Sequence, residues 1–330
     1  MSVKDRRVLV TGAGGFIGSH LVEALVVAGA EVRALLHYDA NGGIGNLRHL
    51  SPEILARVTT VQGDITDAGF VDRLMEEAEL VFHLAALIAI PYSYLAPRSY
   101  VAVNVQGTLN VLEAARRHGT ARVIHTSTSE VFGSARYVPM DEAHPLQAQS
   151  PYAASKIAAD KLVESYVRSF GVRAVTIRPF NTFGPRQSAR AFIPTVIGQA
   201  LGGGEVIRLG ATSPIRDLTY ASDTVAGFIA AATSPGLEGN TYNLGTGQGE
   251  TVGEVARRIL ALMGSTARIE LDAARLRPEA SEVDRLISSN AAFTAATSWR
   301  PEISLDEGLR RTIGFFTSHP RLLPQSGYTV

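Results

Sequence analysis

Short apolar runs alternate with amphipathic stretches over the first half of the chain. The apolar runs are rich in β-branched residues, which is typical of buried strands, and the stretches between them repeat apolar residues at helical spacing. Strands that alternate with helices form βαβ units, so we predict an α/β fold with a doubly wound parallel sheet covered on both faces. The predicted strands are Val8–Val10, Val32–Leu36, Val58–Gln62, Leu80–Leu84, Arg122–Thr126 and Arg173–Arg178, and the predicted helices are Phe16–Ala28, Ala68–Glu77, Tyr100–His118 and Tyr152–Phe170.

The regular alternation of strands and helices ends after about Pro179, where glycine and proline residues separate shorter elements. Helical patterns return at Ser222–Ala232, Val252–Met263 and Leu305–Phe316, and residues 321–330 resemble a frayed end. We therefore expect a larger domain over residues 1–180 and a smaller, mixed substrate-binding region over residues 181–330. The chain is expected to cross between the two.

Composition narrows the classes of function. The 330 residues carry 31 basic and 31 acidic side chains, so no bulk charge favours nucleic acid or an anionic membrane as a partner. The chain has no cysteine, which excludes disulfides and thiolate chemistry and fits a cytoplasmic location. The eight histidines show no metal-ligand spacing, and the longest apolar stretch, Leu80–Ile90, is too short to span a bilayer. No metal and no membrane partner are predicted.

A glycine-rich turn joins the first predicted strand to the first helix. Gly12, Gly15 and Gly18 follow a G-x-x-G-x-x-G spacing, and Phe16 and Ile17 begin the helix. Glycines let backbone amides approach a pyrophosphate, and the helix N-terminus adds the positive end of its dipole. The strand before the turn and the helix after it make a dinucleotide site the favoured interpretation. The alternative is a tight turn that binds no ligand.

Two strand ends are candidates for the adenosine part of that dinucleotide. His37 stands where an acid that selects NAD is usual, and Asp39 comes slightly late. The choice between NAD and NADP therefore stays open, with NAD favoured. Asp64 and Ile65 follow the third strand and are placed to contact adenine, although a capping or turn role for Asp64 is an equal alternative.

Tyr152 and Lys156 lie four residues apart on a predicted helix and so share one face. A nearby ammonium favours the phenolate and is expected to lower the tyrosine pKa. Tyr152 then becomes a base for a sugar hydroxyl, and Lys156 also holds the nicotinamide ribose. The alternative for this pair alone is a surface helix with a solvated lysine.

Polar residues at the end of the fifth strand strengthen the catalytic interpretation. Thr128 and Glu130 follow that strand, and strand ends line the ligand crevice of a doubly wound sheet. A Thr128 hydroxyl can bind the same sugar oxygen as Tyr152. The alternative for Glu130 is a turn residue exposed to water.

These segments together resemble the extended short-chain dehydrogenases/reductases, and the match covers nearly the whole chain. The resemblance implies a Rossmann-type domain, a C-terminal region that binds a nucleotide sugar, and a homodimer with a four-helix interface. It also assigns Leu84, Ala85 and Ala86 to the cofactor site. The motifs that carry it are TGAGGFIG at 11–18, HLAA at 83–86, NVQG at 104–107, YAASK at 152–156 and RPFN at 178–181.

Within that family, Thr128-Ser129-Glu130 is similar to the pattern of nucleotide-sugar 4,6-dehydratases. Residues 83–94 and 178–187 look closest to dehydratases that act on nucleotide-linked N-acetylglucosamine. The implied reaction sends a hydride from C4 to tightly bound NAD(P), removes water across C5 and C6 with Glu130 as base, and returns the hydride to C6. The product is a 4-keto-6-deoxy sugar. Where an aspartic acid would protonate the leaving hydroxyl, this chain has Ser129, a very weak acid, so Glu130 is expected to act as base and acid.

A neutral chain needs local cations for a nucleotide diphosphate. Arg186, Arg216 and Arg277 stand beside turn residues, and arginine binds phosphate through a planar fork. By resemblance, Arg216 and Arg277 clamp the nucleotide, and Asn181 binds near the sugar or phosphate. The alternative is surface arginines paired with neighbouring acids.

Three other functions remain open. A nucleotide-sugar decarboxylase also carries Thr-Ser-Glu but needs a further arginine for the substrate carboxylate. A 4-epimerase is disfavoured because such enzymes usually lack the glutamate. A catalytically idle NAD(P)-binding regulator, the alternative of another class, is disfavoured because every catalytic residue type is present.

Overall fold

The computed structural model of the chain describes residues 2–276, 278 and 281–323. The strands are β1 Arg7–Thr11, β2 Glu31–His37, β3 Val58–Gly63, β4 Leu80–His83, β5 Arg122–Thr126, β6 Ala174–Pro179, β7 Asn181–Phe183, β8 Val206–Leu209, β9 Ile215–Arg216, β10 Leu218–Tyr220, β11 Thr241–Leu244, β12 Glu250–Thr251, β13 Arg268–Leu271 and β14 Arg285–Leu286. The α-helices are α1 Phe16–Val27, α2 Pro52–Leu55, α3 Ala68–Met75, α4 Ile90–Leu95, α5 Pro97–Tyr100, α6 Gly107–His118, α7 Pro151–Phe170, α8 Phe192–Leu201, α9 Ala221–Thr233, α10 Val252–Leu262, α11 Ala291–Thr297 and α12 Leu305–Ser318. A π-helical turn covers Val101–Gln106, and 3-10 turns cover Gly45–His49, Ser129–Phe132, Ala273–Arg275 and Pro320–Leu322.

Seven strands form one parallel sheet in the order β11-β6-β5-β4-β1-β2-β3. The strand order reverses between β1 and β4, which is the topological switch point where doubly wound sheets bind ligands. This sheet confirms the predicted α/β fold. The C-terminal half contributes its last strand, because β11 pairs with β6 through Thr241–Thr176 to Leu244–Pro179.

Apolar helix faces cover both sides of the sheet. On one side α1 and α9 pack their buried leucine, valine and phenylalanine side chains against the strands, among them Leu21, Leu25 and Phe228. On the other side α3, α6 and α7 do the same with Leu74, Leu112 and others. Burial on both faces explains why the central strands read as continuous apolar runs.

Local signals set the limits of the main helices. Ser150 caps α7 by accepting a hydrogen bond from the Ala153 amide, and Pro151 occupies the first helical position. Gly171, in the left-handed region, ends the same helix, as Gly119 ends α6. The sequence therefore predicts both ends of α7 to within one residue.

The predicted helix Tyr100–His118 is not uniform. Its first part is the π-helical turn Val101–Gln106, and only Gly107–His118 is α-helical. The wider turn contains Asn104, whose buried side chain accepts a hydrogen bond from the amide of Leu87, a residue outside the helix. Single-turn π segments of this kind are rare and are frequent at functional sites.

The C-terminal half has its own apolar core between α8, α10, α12 and the short strands β8 and β10. The chain end does not fray where the structure describes it. Residues Pro320–Leu322 form a 3-10 turn, and Leu323 is buried against Gly198 of α8. Residues 324–330 of the predicted frayed end lie outside the described residues. Within the described part of the chain, no helix is both long enough and apolar enough for a bilayer span.

Candidate functional site

The glycine-rich turn lies against the end of β4 at the switch point. Gly12 has φ +69°, and a Cβ atom there would lie 2.8 Å from the Ala85 nitrogen and 2.9 Å from the Leu84 carbonyl carbon. A Cβ on Gly18 would overlap the Gly12 carbonyl oxygen. Only glycine allows both the left-handed conformation and these close approaches.

The N-terminus of α1 begins at this turn. Gly15 is the residue before the helix, its amide bonds to the Gly12 carbonyl, and no described side chain caps the first turn. Phe16 and Ile17 are half-buried, and the Phe16 ring packs edge-on against His20. The first helical amides thus offer their donors and a positive dipole end to an anion, which fits a dinucleotide pyrophosphate.

The end of β2 carries His37 on the surface, with its Nδ1 atom 3.0 Å from the Tyr38 carbonyl oxygen. The Asp39 carboxylate is engaged by its own loop, because it accepts hydrogen bonds from the amides of Asn41 at 2.9 Å and Gly43 at 3.2 Å. The histidine, and not this carboxylate, is the residue presented at the strand end.

Asp64 and Ile65 follow β3, as predicted. The Asp64 carboxylate accepts from the Thr66 amide and hydroxyl, both at 2.8 Å, and these bonds lower its pKa. Ile65 is buried against Gly107, and its carbonyl oxygen accepts from the Asn110 side chain at 3.0 Å. Asp64 therefore has the turn role that the sequence gave as an alternative, and one of its carboxylate oxygens carries both bonds.

Leu84, Ala85 and Ala86 are half-buried beyond the end of β4. The Thr11 hydroxyl oxygen accepts from the amides of Leu84 and Ala85, each at 3.1 Å, and lies 2.9 Å from His83 Nδ1. This buried threonine holds the ends of β1 and β4 together. Thr11 and His83 both lie in the motifs that carry the family resemblance, but their structural role was not predicted from the sequence.

Thr128, Glu130 and Tyr152 meet beyond the end of β5. The Thr128 hydroxyl begins the 3-10 turn by accepting from the Glu130 amide at 3.2 Å, and it hydrogen-bonds to the Tyr152 phenol. The Glu130 carboxylate is close enough for its charge to raise the Tyr152 pKa. Ser129 is buried within the same turn. The structure thus brings four of the five predicted catalytic residues together.

Lys156 lies on the same face of α7, one turn after Tyr152. Its ammonium is buried and donates to the Thr126 carbonyl oxygen at 2.6 Å. Burial lowers the pKa of Lys156 to about 8, whereas the charge of Asp160 raises it. The lysine therefore titrates near neutral pH.

The expected lowering of the Tyr152 pKa is wrong for the chain by itself. Burial raises that pKa well above its ordinary value, and this effect outweighs the hydrogen bond from Thr128. The Lys156 ammonium is directed at the carbonyl of Thr126. Tyr152 therefore loses its proton only with help from a further positive charge near the phenol.

An apolar wall encloses the Tyr152 ring. Ile90 and Tyr100 are buried against it with Leu87 beside them, and the rings of Tyr100 and Tyr152 have centroids 6.2 Å apart. The Tyr100 hydroxyl donates to the Ala89 carbonyl oxygen at 2.5 Å. The wall excludes water from one side of the phenol.

Asn104 positions this wall, and the sequence analysis gave it no role. Its side-chain oxygen accepts from the Leu87 amide at 2.8 Å, and its side-chain nitrogen donates to the Leu87 carbonyl oxygen at 3.0 Å and to the Ser155 hydroxyl at 2.9 Å. Ser155 in turn donates to the Tyr152 carbonyl oxygen at 2.7 Å. A buried asparagine inside an otherwise apolar helical face was the available signal.

Of the predicted diphosphate ligands, Arg216 and Asn181 lie on β9 and β7. The Arg216 guanidinium is nearly buried, donates to the Ile215 carbonyl oxygen at 3.0 Å and lies 3.3 Å from the Glu282 carboxylate. The Asn181 side-chain oxygen is buried and has no hydrogen-bond partner among the described residues. Arg277 lies outside the described residues.

Arg186 does not lie where the sequence predicted. Its guanidinium bonds to the Glu23 carboxylate and to His20 Nδ1 on α1, so it fastens residues 184–187 to that helix instead of facing a diphosphate. Burial and this arginine lower the pKa of His20 to about 4. Arg190, which the sequence analysis missed, is exposed and is near enough to the apolar wall for its charge to lower the pKa of Tyr100, which burial raises.

No group of three or more histidine, aspartate or glutamate side chains in the described ranges is arranged to hold a metal ion. The arrangement therefore consists of an anion-binding glycine turn, a buried tyrosine and lysine, and a hydroxyl and a carboxylate beside the phenol. Such a set can bind a dinucleotide and move protons at a hydroxylated substrate.

Comparison with known proteins agrees with this arrangement. The chain is 34% identical over 320 residues to a dTDP-glucose 4,6-dehydratase of Actinoplanes sp., covering 95% of this chain and 98% of that protein. It is also 34% identical to a UDP-glucose 4-epimerase of Mycolicibacterium smegmatis, covering 94% of this chain and 98% of that protein.

Among solved structures, DesIV, a dTDP-glucose 4,6-dehydratase from Streptomyces venezuelae solved with NAD and TYD bound, superimposes with a TM-score of 0.86 at 30% identity. The alignment covers 96% of this chain and 98% of that one. The model of the GDP-mannose 4,6 dehydratase family matches residues 9–312. The chain therefore belongs to the GDP-mannose 4,6 dehydratase family, which confirms the predicted membership of the extended short-chain dehydrogenases/reductases.

Proposed function

We propose that this protein is an NAD-dependent nucleotide-sugar 4,6-dehydratase that acts on a nucleotide-linked N-acetylhexosamine. The observation that carries the proposal is the group of Thr128, Glu130 and Tyr152 beyond the end of β5, because it joins a base for oxidation to a carboxylate for elimination. The relatives named as dTDP-glucose 4,6-dehydratases support the reaction class.

The cofactor site fits NAD on geometric grounds. A Cβ atom on Gly12 would clash with the backbone of Leu84 and Ala85, and one on Gly18 would clash with the Gly12 carbonyl oxygen, so glycine is required for this tight turn. The turn leads into α1, which presents its first amides there. When bound, NAD+ takes a hydride from the sugar C4 and returns it to C6. The sugar therefore undergoes no net oxidation. Because the cofactor ends each turnover in its starting oxidation state, it stays bound between turnovers.

The first step is the loss of the C4 hydroxyl proton. Tyr152 accepts this proton, and the Thr128 hydroxyl holds the same sugar oxygen from the side. Lys156 would bind the nicotinamide ribose. The positive charge of an oxidised nicotinamide bound near Tyr152 would add to that of the ammonium in stabilising the buried phenolate.

The second step removes water from the 4-keto sugar. The ketone acidifies the C5 hydrogen, Glu130 takes that proton, and the same carboxyl group then protonates the C6 hydroxyl as it leaves. Ser129 is buried and is too weak an acid for this transfer. One proton leaves O4 during the oxidation, and one proton returns to C5 when C6 is reduced. The atoms and charges of the overall reaction therefore balance, with the loss of one water molecule.

The substrate side of the proposal rests on the C-terminal residues. We assign the diphosphate to Arg216, whose guanidinium lies on β9 beside the Glu282 carboxylate. We assign the sugar to Asn181, whose buried side-chain oxygen has no partner among the described residues and can accept a hydrogen bond from a sugar hydroxyl. The apolar wall of Ile90 and Tyr100 suits the methyl group of an acetamido substituent.

A panel of nucleotide sugars tests the function. We expect the purified chain, with NAD+, to convert a nucleotide-linked N-acetylglucosamine to a product lighter by one water molecule, seen by mass spectrometry. Loss of carbon dioxide from a uronic acid would indicate the decarboxylase instead. No mass change with any sugar would overturn the dehydratase assignment.

A second candidate is a 4-epimerase, which the similarity to the UDP-glucose 4-epimerase favours. Both reactions use Tyr152 and Thr128 for the oxidation at C4. Only the dehydratase has a use for Glu130 at C5 and C6, so the fate of C6 separates the two.

A homodimer is part of the same proposal. α6 and α7 pack side by side over the sheet, and Phe170 at the end of α7 is half-exposed with the Arg116 guanidinium 4.9 Å from its ring centre. We expect light scattering after size-exclusion chromatography to give twice the mass of the chain. A monomer at micromolar concentration would contradict this part.

A further inference from the structure

A buried carboxylate, Asp160, connects three elements beneath the candidate catalytic residues. One of its oxygens accepts from the Ser127 hydroxyl at 2.7 Å and from Arg178 at 3.0 Å (Nη2) and 3.3 Å (Nε). Its other oxygen lies 3.2 Å from His125 Nε2. Asp160 thus ties α7 to the ends of β5 and β6, and the proposed mechanism makes no use of it.

Asp160 is close to two of the proposed catalytic residues, Lys156 along α7 and Thr128 beyond the end of β5. Along α7 it follows Lys156 by four residues, so both side chains lie on the same buried face. Across the sheet it holds Ser127, whose chain neighbour is Thr128. Asp160 therefore lies one helical turn from the residue that carries the ammonium and bonds to the chain neighbour of the residue that carries the catalytic hydroxyl.

Asp160 is the negatively charged group among those that surround the Lys156 ammonium. The groups near the ammonium are His83 on β4, His125 and the Thr126 carbonyl on β5, and Asp160 on α7. Burial lowers the pKa values of both histidines, so they are neutral. Asp160, held ionised by its bonds although burial opposes them, supplies the negative charge next to Lys156.

We propose that Asp160 is a positioning residue of the proposed reaction, because its carboxylate keeps the Lys156 ammonium charged and fixes the strand end that carries Thr128. The inference rests on the proposed function for its kinetic part only. Arg178, which Asp160 pairs with, has its guanidinium 5.1 Å from the centre of the Phe132 ring and is itself buried, so salt screens this pair less than an exposed one.

The expected size of the effect follows from the same contacts. Burial alone lowers the pKa of Lys156 and Asp160 opposes it, with a resulting value of about 8. Removal of the opposing charge therefore takes the lysine into its neutral form close to physiological pH. An unprotonated Lys156 cannot stabilise the Tyr152 phenolate.

The chain has only three lysines, Lys4, Lys156 and Lys161, so their titration is directly measurable. Full-length protein labelled with 13C at the lysine ε-carbon gives three signals by NMR, which Lys4→Arg and Lys161→Arg variants assign. In Asp160→Asn we expect the midpoint of Lys156 to fall by about one pH unit, both with and without NAD+, while the exposed Lys161 keeps its midpoint. An unchanged Lys156 midpoint in folded Asp160→Asn would overturn the proposal.

Two further variants distinguish the effect of the Asp160 charge on the Lys156 midpoint from the effect of a disturbed structure around Asp160. Ser127→Ala removes one hydrogen bond to Asp160 but leaves the carboxylate, so the Lys156 midpoint should stay where it is. Asp160→Asn combined with Arg178→Gln removes the buried cation that the single change leaves unpaired. Because the Lys156 pKa responds to Asp160 and burial, the double variant should still show the lowered midpoint. A Ser127→Ala shift as large as that of Asp160→Asn would also contradict the charge argument.

The kinetic readout uses UDP-N-acetylglucosamine as the probe and the reduced-nicotinamide absorbance as the signal. In Asp160→Asn we expect the alkaline loss of sugar oxidation to move to lower pH by the same amount as the NMR midpoint. A merely structural role would lower the rate equally at every pH. If the unaltered protein oxidises no sugar, the proposed function fails, while the NMR titration still decides the role of Asp160.

Discussion

Glu130 is the side chain that distinguishes a dehydratase from a 4-epimerase, although a decarboxylase carries the same glutamate. Tyr152 and Thr128 serve any reaction that begins by oxidising C4, but a carboxylate beside the phenol has a chemical use only if a proton leaves C5. Glu130 lies within the 3-10 turn Ser129–Phe132 after β5, where the Thr128 hydroxyl accepts a hydrogen bond from its backbone amide. The reaction outcome therefore depends on one residue within a shared site.

In Glu130→Gln we expect water loss to fall by about 10² to 10⁴-fold, because the base and acid for elimination are gone. Oxidation at C4 should continue, since Tyr152 and Lys156 are intact. Rapid mixing with substrate should therefore show reduced nicotinamide, and mass spectrometry should show no dehydrated product. Glu77→Gln, which changes an exposed carboxylate that pairs with Arg33 at 3.6 Å, is the control. Normal water loss in Glu130→Gln would exclude its proposed role.

Arg216 and Arg186 were both candidates for binding the diphosphate, but we expect their alanine variants to differ in substrate affinity and in thermal stability. In Arg216→Ala we expect KM to rise about tenfold or more and kcat to change far less, because a charge-assisted bond to bound substrate is lost. Arg186→Ala should instead lower thermal stability, since its guanidinium joins residues 184–187 to Glu23 and His20. Steady-state kinetics and thermal unfolding of the two variants decide this. Equal increases in KM would contradict the distinction.

At the scale of elements, the first turn of α1 is held by a close approach that only glycine permits. A Cβ on Gly18 would overlap the carbonyl oxygen of Gly12, which is backbone and cannot move aside without displacing the turn from β4. The cofactor site and the packing of α1 on β1 therefore depend on the same residue.

Gly18→Ala should weaken NAD+ binding and lower the melting temperature. Gly314→Ala is a matched control, because Gly314 also lies within a helix but a Cβ there meets no atom within 4 Å. That control should be neutral or stabilised by up to about 1 kcal/mol, since alanine is the better helix former. Isothermal calorimetry with NAD+ and thermal unfolding measure both effects. Wild-type affinity in Gly18→Ala would show that the turn does not cradle the cofactor.

The central elements were predictable because their signals are local. β1, β2, β4, β5 and β6 are largely buried, and α7 has a capping serine, a proline and a terminal glycine. β11 was missed because Thr241–Leu244 is short and alternates polar and apolar side chains after a glycine-rich turn. The π-helical turn at 101–106 was missed because no spacing rule distinguishes it from an α-helix.

The site was predictable where residues lie on one element and not where they meet across elements. The spacing of Tyr152 and Lys156 follows from one helix. The raised Tyr152 pKa depends on burial by Ile90 and Tyr100, and the engagement of Arg186 depends on Glu23, 163 residues away. Such contacts are set by tertiary packing, which a single sequence does not reveal.

At the scale of the whole molecule, a buried ion pair joins the sheet to the helix that precedes its last strand. The Arg122 guanidinium on β5 donates to carbonyl oxygens of Ala231, Ala232 and Ser234 at the end of α9, and to the Glu238 carboxylate at 2.5 Å. Burial opposes the ionised form of Glu238, but bonds from Arg122 and others lower its pKa to about 2.

This pair predicts a pH dependence of stability. A carboxyl group with a depressed pKa contributes stability above its unfolded value, near 4.5, and loses it as pH falls toward 2. Glu238→Gln should therefore be less stable than the unaltered chain at pH 7 by about 2 kcal/mol, and the difference should shrink below pH 4.5. Urea unfolding at several pH values measures it. A difference that does not vary with pH would contradict the ion-pair account.

The proposed dehydratase reaction requires that the hydride leaving C4 return to C6 of the same sugar. The direct measurement uses UDP-N-acetylglucosamine carrying deuterium at C4, with product analysed by mass spectrometry and NMR after incubation with the protein and NAD+. The account predicts a 4-keto-6-deoxy product that has lost one water molecule and carries the deuterium on C6. Unchanged mass with deuterium still at C4 of an epimerised sugar would contradict it.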